Sequence, residues 1–183
     1  MADQTSLPLE LSISSTTREP RQGESDQDHY FFISLEEFHK LREQDFFLEY
    51  AEVHGNYYGT SFEFVRSKLE SGVNLILEID VQGFRQINDL DLSYKSIFIL
   101  PPSMQALEDR IKNRGDEDAT AIELRLKNAK EELTFASEYQ HIIKNDSFEL
   151  AAKQLYAIIA QDDAYQDKNH EELQQFLAQL LSS

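Results

Sequence analysis

Two short, almost uninterrupted apolar runs constrain the fold of this chain more than any other feature. Residues 75–80 (LILEID) and 96–100 (SIFIL) each have the length of one strand. Strands buried on both faces of a parallel sheet have this composition, whereas half-exposed strands alternate apolar and polar residues. Helical patterns separate and follow the two runs. The sequence therefore predicts an α/β fold with a parallel sheet.

Capping and turn residues place the remaining elements. Ser34 with Glu37, Thr60 with Glu63, and Asp146 with Glu149 have the spacing of helix N-terminal capping pairs. The predicted helices, counted from their caps, are 34–44, 60–72, 81–88, 103–114, 120–136 and 146–160. Further strands are expected at 11–17, 30–33, 46–53 and 141–143, and residues 1–10 are expected to form a lead-in without partners.

Length and composition exclude several classes of protein. The 183 residues suit one domain, the formal charge of −17 disfavours binding to nucleic acid, and the absence of cysteine excludes disulfides and thiolate metal sites. No apolar stretch approaches the ~20 residues of a membrane span, and no secretory leader is visible. We expect a soluble, cytoplasmic protein with no membrane partner, and its oligomeric state stays open.

The segment 161–183 is predicted to be a C-terminal amphipathic helical tail. Its apolar residues recur at helical spacing and form a single face: Leu173, Phe176, Leu177, Leu180 and Leu181. Docking of this face on the rest of the chain is the favoured interpretation, and self-association is the alternative.

Four residues of the first third could bind an anion. Arg18 and Arg21 flank a proline in a chain that is otherwise strongly acidic, and Tyr30 and Tyr58 could add neutral donors. A guanidinium group holds two phosphate oxygens at once, which makes arginine pairs typical of phosphate sites. Taken alone, the arginines could also be ordinary surface charges.

Two acidic residues and three arginines are further candidates. Glu78 and Asp80 follow a predicted buried strand, where α/β proteins bind ligands and where a carboxylate could support Mg²⁺, although a solvated strand end explains them equally well. Arg110, Arg114 and Arg125 surround one loop and could neutralise a transferring phosphoryl group, or they could be helix-surface charges.

Six segments together resemble guanylate kinase, in the order and at the spacing of that family, over about residues 9–160. They are residues 14–24 (SSTTREPRQGE), 29–32 (HYFF), 47–52 (FLEYAE), 55–60 (GNYYGT), 78–83 (EIDVQG) and 98–103 (FILPPS). The resemblance implies the α/β fold of the nucleoside-monophosphate kinases. Within a guanylate kinase-like domain of residues 1–160, it implies a small mixed α+β GMP-binding insertion at about 18–72 and a helical lid at about 110–125.

The resemblance also assigns roles to residues of this chain. It places the GMP phosphate on Arg18, Arg21, Tyr30 and Tyr58, and the guanine base on Ser14, Glu49 and Thr60, with Glu78 nearby. It places the lid arginines at Arg110, Arg114 and Arg125, an adenine-side contact at Asn145 and an Mg²⁺ contact, through water, at Asp80. A carboxylate at position 49 suits guanine because it only accepts hydrogen bonds, and guanine presents two adjacent donors.

One departure from the family pattern is large. The family begins with a strand and a glycine-rich phosphate loop that ends in Gly-Lys-Ser/Thr, whereas here no glycine is followed by lysine and only thirteen residues precede Ser14. In the family's sheet that strand lies between the two apolar runs. We expect either that the natural polypeptide is longer or that this chain is a degenerate relative without the central strand and the phosphate loop.

Two functions remain after this comparison. The first is guanylate kinase activity: phosphoryl transfer from ATP to GMP with Mg²⁺, giving ADP and GDP in purine nucleotide metabolism. The second is an inactive guanylate kinase-like module that binds GMP or another protein. Loss of the phosphate loop favours the second, and retention of the GMP-site residues favours the first.

Overall fold

The computed structural model describes residues 8–113, 119–160 and 170–182. The chain divides into two compact units, Met1–Leu92 and Ser93–Ser183. The described helices include none that is long and apolar enough to cross a bilayer.

The first unit contains a mixed four-stranded sheet and a separate parallel pair of strands. Its elements are β1 (Leu9–Leu11), β2 (Ser14–Thr16), β3 (Tyr30–Phe32), α1 (Leu35–Glu43), β4 (Phe47–Val53), β5 (Asn56–Ser61), α2 (Phe62–Glu70), β6 (Asn74–Ile76) and α3 (Val81–Asn88). The mixed sheet has the strand order β3-β2-β5-β4, and β1 pairs with β6 in parallel. Buried Phe38, Val65 and Phe84 contribute to the core of this unit.

The second unit is built on a parallel pair of strands covered by helices. Its elements are β7 (Ile97–Leu100), α4 (Met104–Lys112), α5 (Ala119–Leu133), a 3₁₀ turn (Ala136–Glu138), β8 (His141–Lys144), α6 (Phe148–Ile159) and α7 (His170–Leu181). Helix α7 packs within this unit: its Leu177 and Leu180 are buried with Leu100, Leu133 and Ile142. The prediction that the tail docks on the chain is confirmed.

Several helix ends follow the sequence prediction, and two N-caps are corrected. Ser34 and Ser103 cap α1 and α4 as predicted, and α3 has the predicted bounds. Helix α2 is capped by Ser61 instead of Thr60, because the Thr60 hydroxyl is committed to a buried carboxylate. Helix α6 is capped by Ser147 instead of Asp146, whose carboxylate lies 3.1 Å from the ammonium of Lys144.

The two apolar runs form shorter and more exposed strands than predicted. The strand at the first run is Asn74–Ile76, which includes only Leu75 and Ile76 of that run, and Ile99 of the second run is 52% exposed. Among the described strands, β6 pairs with β1 alone and β7 with β8 alone, so each lacks a neighbour along one edge. The exposure of Ile99 shows that the expected burial on both faces is wrong for the second run. The lead-in is also corrected, because Leu9–Leu11 pairs with β6.

Candidate active site: a carboxylate and an arginine fork

The first group of predicted residues meets on the mixed sheet. Glu49 of β4 and Thr60 of β5 are directly paired in the antiparallel ladder, so their side chains lie on the same face. The Thr60 hydroxyl donates a hydrogen bond to Glu49 Oε1 at 2.5 Å, and the hydroxyls of Ser14 and Thr60 are 3.2 Å apart. The structure thus brings together Ser14, Glu49 and Thr60, the three residues predicted to contact a base.

Glu49 is an unusual carboxylate because its residue is only 4% exposed. Burial raises the pKa of Glu49 above its ordinary value, the nearby charge of Asp80 raises it further, and hydrogen bonds from Thr60 oppose the shift. The charged group that affects the pKa of Glu49 is therefore the carboxylate of Asp80 and not a cation. A ligand that brings N–H donors would stabilise the ionised form.

The second group is organised around Arg18. Its guanidinium makes a two-pronged contact with Glu24, with Nη1 and Nη2 at 3.0 and 2.9 Å from the two carboxylate oxygens. The same guanidinium lies 5.4 Å from the ring centre of Tyr30, whose ring packs edge-on against Tyr58 at 6.0 Å. The pairing with Glu24 raises the pKa of Arg18, and the neighbouring Tyr58 hydroxyl adds to that shift.

Glu24 ties Arg21 into the same loop. The backbone N–H of Arg21 donates to Glu24 Oε2 at 2.8 Å. The side-chain bond to Arg18, followed by the backbone bond to Arg21, lowers the pKa of Glu24 to about 2. The Glu24 carboxylate therefore lies between Arg18 and Arg21, two residues that are predicted to bind phosphate.

Glu78 and Asp80 do not join the base-side hydrogen bonds. Asp80 is the N-cap of α3: its Oδ1 accepts from the N–H of Gly83 and its Oδ2 from Gln82, both at 2.9 Å. Glu78 is exposed, and within the described residues it makes no hydrogen bond to Ser14, Glu49 or Thr60. No group of three or more histidine or acidic residues that could hold a metal ion occurs among the described residues.

The second unit joins two of the other predicted residues. Arg110 of α4 donates from Nη2 to the backbone carbonyl of Asn145 at 3.3 Å, and the N–H of Asn145 is bonded to Leu100. Arg125 lies on α5, and Arg114 lies outside the described residues. A predicted lid arginine and the predicted adenine contact are therefore neighbours.

Sequence reasoning missed Glu24 and Gly83. Glu24 carried a detectable signal, because it is an acidic residue three positions after Arg21 in a loop already assigned to anions. Gly83 carried no local signal, since its contact with Glu49 joins positions 34 residues apart (83 − 49) in the sequence.

Comparisons with known proteins agree with this arrangement. The family model described as guanylate kinase matches residues 2–162. A guanylate kinase of Caldanaerobacter subterraneus is 47% identical over 161 residues, which are 88% of this chain and 78% of that protein. One of Haemophilus influenzae is 42% identical over all 183 residues, which span 88% of its length. The crystal structure of a guanylate kinase from Anaplasma phagocytophilum matches with a TM-score of 0.73 and 32% identity, covering 85% of this chain and 76% of that one. The chain belongs to the guanylate kinase family.

Proposed function

We propose that this protein transfers a phosphoryl group from ATP to GMP, giving ADP and GDP. The family match over residues 2–162 supports this activity and does not favour an inactive binding module. The observation that carries the substrate choice is the buried Glu49 carboxylate bonded to Thr60. It belongs to the same unit as the Arg18 fork, and the two provide for the two chemically different ends of one nucleotide.

The base end is read by hydrogen-bond polarity. Glu49 is acceptor-only when ionised, and guanine offers adjacent N–H donors at N1 and N2. Adenine does not offer that pair, so it would leave the buried carboxylate without new partners, at the cost of an unmet buried charge. Thr60 and Ser14 hold the carboxylate in place on the sheet.

The phosphate end is bound by exchange of one anion for another. Arg18 is paired with Glu24 in this structure, so a phosphate group must share or take over that guanidinium. Tyr30 and Tyr58 would donate hydroxyl hydrogen bonds, and Arg21 would add a second cation. Because phosphoryl transfer depends mainly on positioning and charge neutralisation, this grip on the acceptor is itself a catalytic contribution.

The donor nucleotide is assigned to the second unit. Asn145 is proposed to contact the adenine side, and Arg110, Arg114 and Arg125 are proposed to neutralise the transferring phosphoryl group. Mg²⁺ would enter as the MgATP substrate, since the described residues hold no metal-ligand cluster, and Asp80 would reach it only through water. We place the reaction in the cytoplasm, where both nucleotides are made and used.

The test separates GMP binding from ATP turnover. Calorimetry with GMP and a coupled assay of GMP-dependent ADP release are run on the unmodified chain, on Arg18→Ala and on Arg66→Ala. Arg66 is a matched control, because it is a 53% exposed arginine of the same unit paired only with neighbours on its own helix. We expect Arg18→Ala to weaken GMP binding about 100-fold and Arg66→Ala to leave it unchanged.

Binding and turnover bear on different parts of the proposal. GMP-dependent ADP release by the unmodified chain supports the full reaction. GMP binding without ADP release would overturn turnover by this sequence, in which no glycine precedes a lysine, and would retain the acceptor site. An unmodified chain that binds neither GMP nor ATP would overturn the proposed function.

A further inference from the structure

Helix α3 approaches the Glu49 carboxylate so closely at Gly83 that no side chain fits between them. A Cβ atom built on Gly83 would lie 2.4 Å from Glu49 Oε2 and 3.2 Å from Glu49 Cδ. Gly83 is buried in the first turn of the helix Val81–Asn88, where its N–H donates to the N-cap Asp80. Glycine lets another group approach the backbone closely, and here that group is the Glu49 carboxylate.

The helix cannot easily withdraw to make room. The side-chain amide of Gln86 donates to the carbonyl of Tyr50 at 2.6 Å and accepts from the N–H of Tyr50 at 3.2 Å. One turn earlier, Gln82 donates to the carbonyl of Glu52 at 3.1 Å. These three bonds attach α3 to the edge of β4 at Tyr50 and Glu52, the strand residues that follow Glu49. An added methyl group at position 83 would therefore displace the Glu49 side chain before it displaced the helix.

We propose that Gly83 is a positioning residue for guanine specificity: its lack of a side chain creates the space in which the Glu49 carboxylate faces the base. This inference rests on the proposed function, because it deepens the role given there to Glu49. A methyl group at position 83 would push Oε2 away and break the alignment with Thr60. The phosphate-side residues would be untouched, since Arg18, Glu24 and Tyr58 make none of the contacts at Gly83.

The test is a double-mutant cycle with two readouts. The four proteins are the unmodified chain, Gly83→Ala, Glu49→Ala and the double variant. Thermal unfolding measures the steric conflict, and binding of GMP and AMP by calorimetry measures specificity. AMP carries the same phosphate as GMP, so the ratio of the two affinities isolates the base.

The cycle also separates the carboxylate from another close neighbour. The built Cβ lies 3.2 Å from the Cβ of Ile79, which could itself resist a methyl group. Removing the Glu49 side chain leaves that contact in place. We expect Gly83→Ala to lower Tm by about 5 °C when Glu49 is present and by less than half as much when it is absent. The GMP-over-AMP preference should fall about 10- to 100-fold in the single variant.

Each outcome decides the matter. Equal Tm losses in both backgrounds overturn the inference, because Ile79 then accounts for the conflict. The inference is also overturned if the Tm loss of Gly83→Ala depends fully on Glu49 but the GMP-over-AMP affinity ratio of Gly83→Ala is unchanged. If Gly83→Ala does not fold, a folded double variant supports the inference and an unfolded one overturns it. An unmodified chain with no preference for GMP overturns the proposed base recognition itself, whereas a selective chain without coupling overturns only the role of Gly83.

Discussion

The pH dependence of base selection is the most direct test of the Glu49 assignment. Burial raises the pKa of Glu49, and only the ionised carboxylate accepts two hydrogen bonds from guanine. The GMP-over-AMP preference should therefore be lost as pH falls through a pKa that lies above 4.5, the ordinary value. Below that pKa, each pH unit should reduce the preference about tenfold until the carboxyl group is protonated in the GMP complex as well.

The size of the effect follows from the hydrogen bonds at stake. Each hydrogen bond to a charged group contributes about 1.5–3 kcal/mol, and about 1.4 kcal/mol corresponds to tenfold in affinity. Glu49→Gln replaces one acceptor oxygen with a donor that faces guanine's own donors. This substitution should reduce GMP affinity about tenfold to a hundredfold, with a smaller change for AMP, and its GMP-over-AMP ratio should not vary with pH.

Calorimetry of GMP and AMP at a series of pH values provides the measurement. The phosphate of GMP also titrates in the acidic range, but AMP carries the same group, so the affinity ratio cancels that titration. Protein stability gives an independent check of the sign. When the folded-state pKa of a carboxyl group is raised, the free energy of unfolding of the protein falls as pH rises through that pKa. Glu49→Gln should remove this fall. A GMP-over-AMP ratio that is equally pH-independent in the unmodified chain would refute the argument.

Three further predictions concern the rest of the structure. Leu177→Ala, at a residue 5% exposed, should lower the free energy of unfolding by about 3 kcal/mol in urea titrations, whereas Leu181→Ala on the same helix, 44% exposed, should cost less than about 1 kcal/mol. Glu24→Gln should remove a stabilising pair with Arg18 that is fully present above pH 4.5 and is lost as pH falls towards about 2, so acid unfolding followed by circular dichroism should begin at higher pH in the variant. Gln86→Ala should lower the free energy of unfolding by about 2 kcal/mol, because two hydrogen bonds to the edge of β4 are lost, and equal urea midpoints for this variant and the unmodified chain would contradict that role.

Local elements were predictable because their signals are local. The caps at Ser34 and Ser103 and the bounds of α3 follow from residues within one helical turn. The apolar face of α7 was predicted from its spacing, although the structure buries Leu177 and leaves Leu181 44% exposed. Thr60 shows the limit of such signals: its sequence context fits an N-cap, but the strand pairing that places it opposite Glu49 takes its hydroxyl.

Contacts between distant segments were not predictable from residue type. The exposure of Ile99 depends on whether another element covers that face of β7, a property of the packing and not of the run itself. In the sequence, Gln86 resembles any other polar helix residue. In the structure, its side chain is hydrogen-bonded to the backbone of Tyr50, 36 positions earlier (86 − 50). Residue patterns indicated the candidate arginines, tyrosines and acidic strand-end residues, the family resemblance added Ser14, Glu49, Thr60 and Asn145, and the chain's own packing determined which of them are in contact.

Glu24 and Glu49 together explain why a whole guanine nucleotide should fit the first unit better than a free phosphate or a free base. Glu24 is already paired with a guanidinium, so a ligand's phosphate gains at Arg18 only what it does not lose by displacing Glu24. Glu49 is buried beside another carboxylate and is stabilised by hydrogen bonds from Thr60, so donors from a base would relieve an existing cost. If the proposed function holds, the phosphate would therefore contribute position and the base the larger share of selectivity. A phosphate without guanine should bind weakly, and an adenine nucleotide should bind little better than that phosphate.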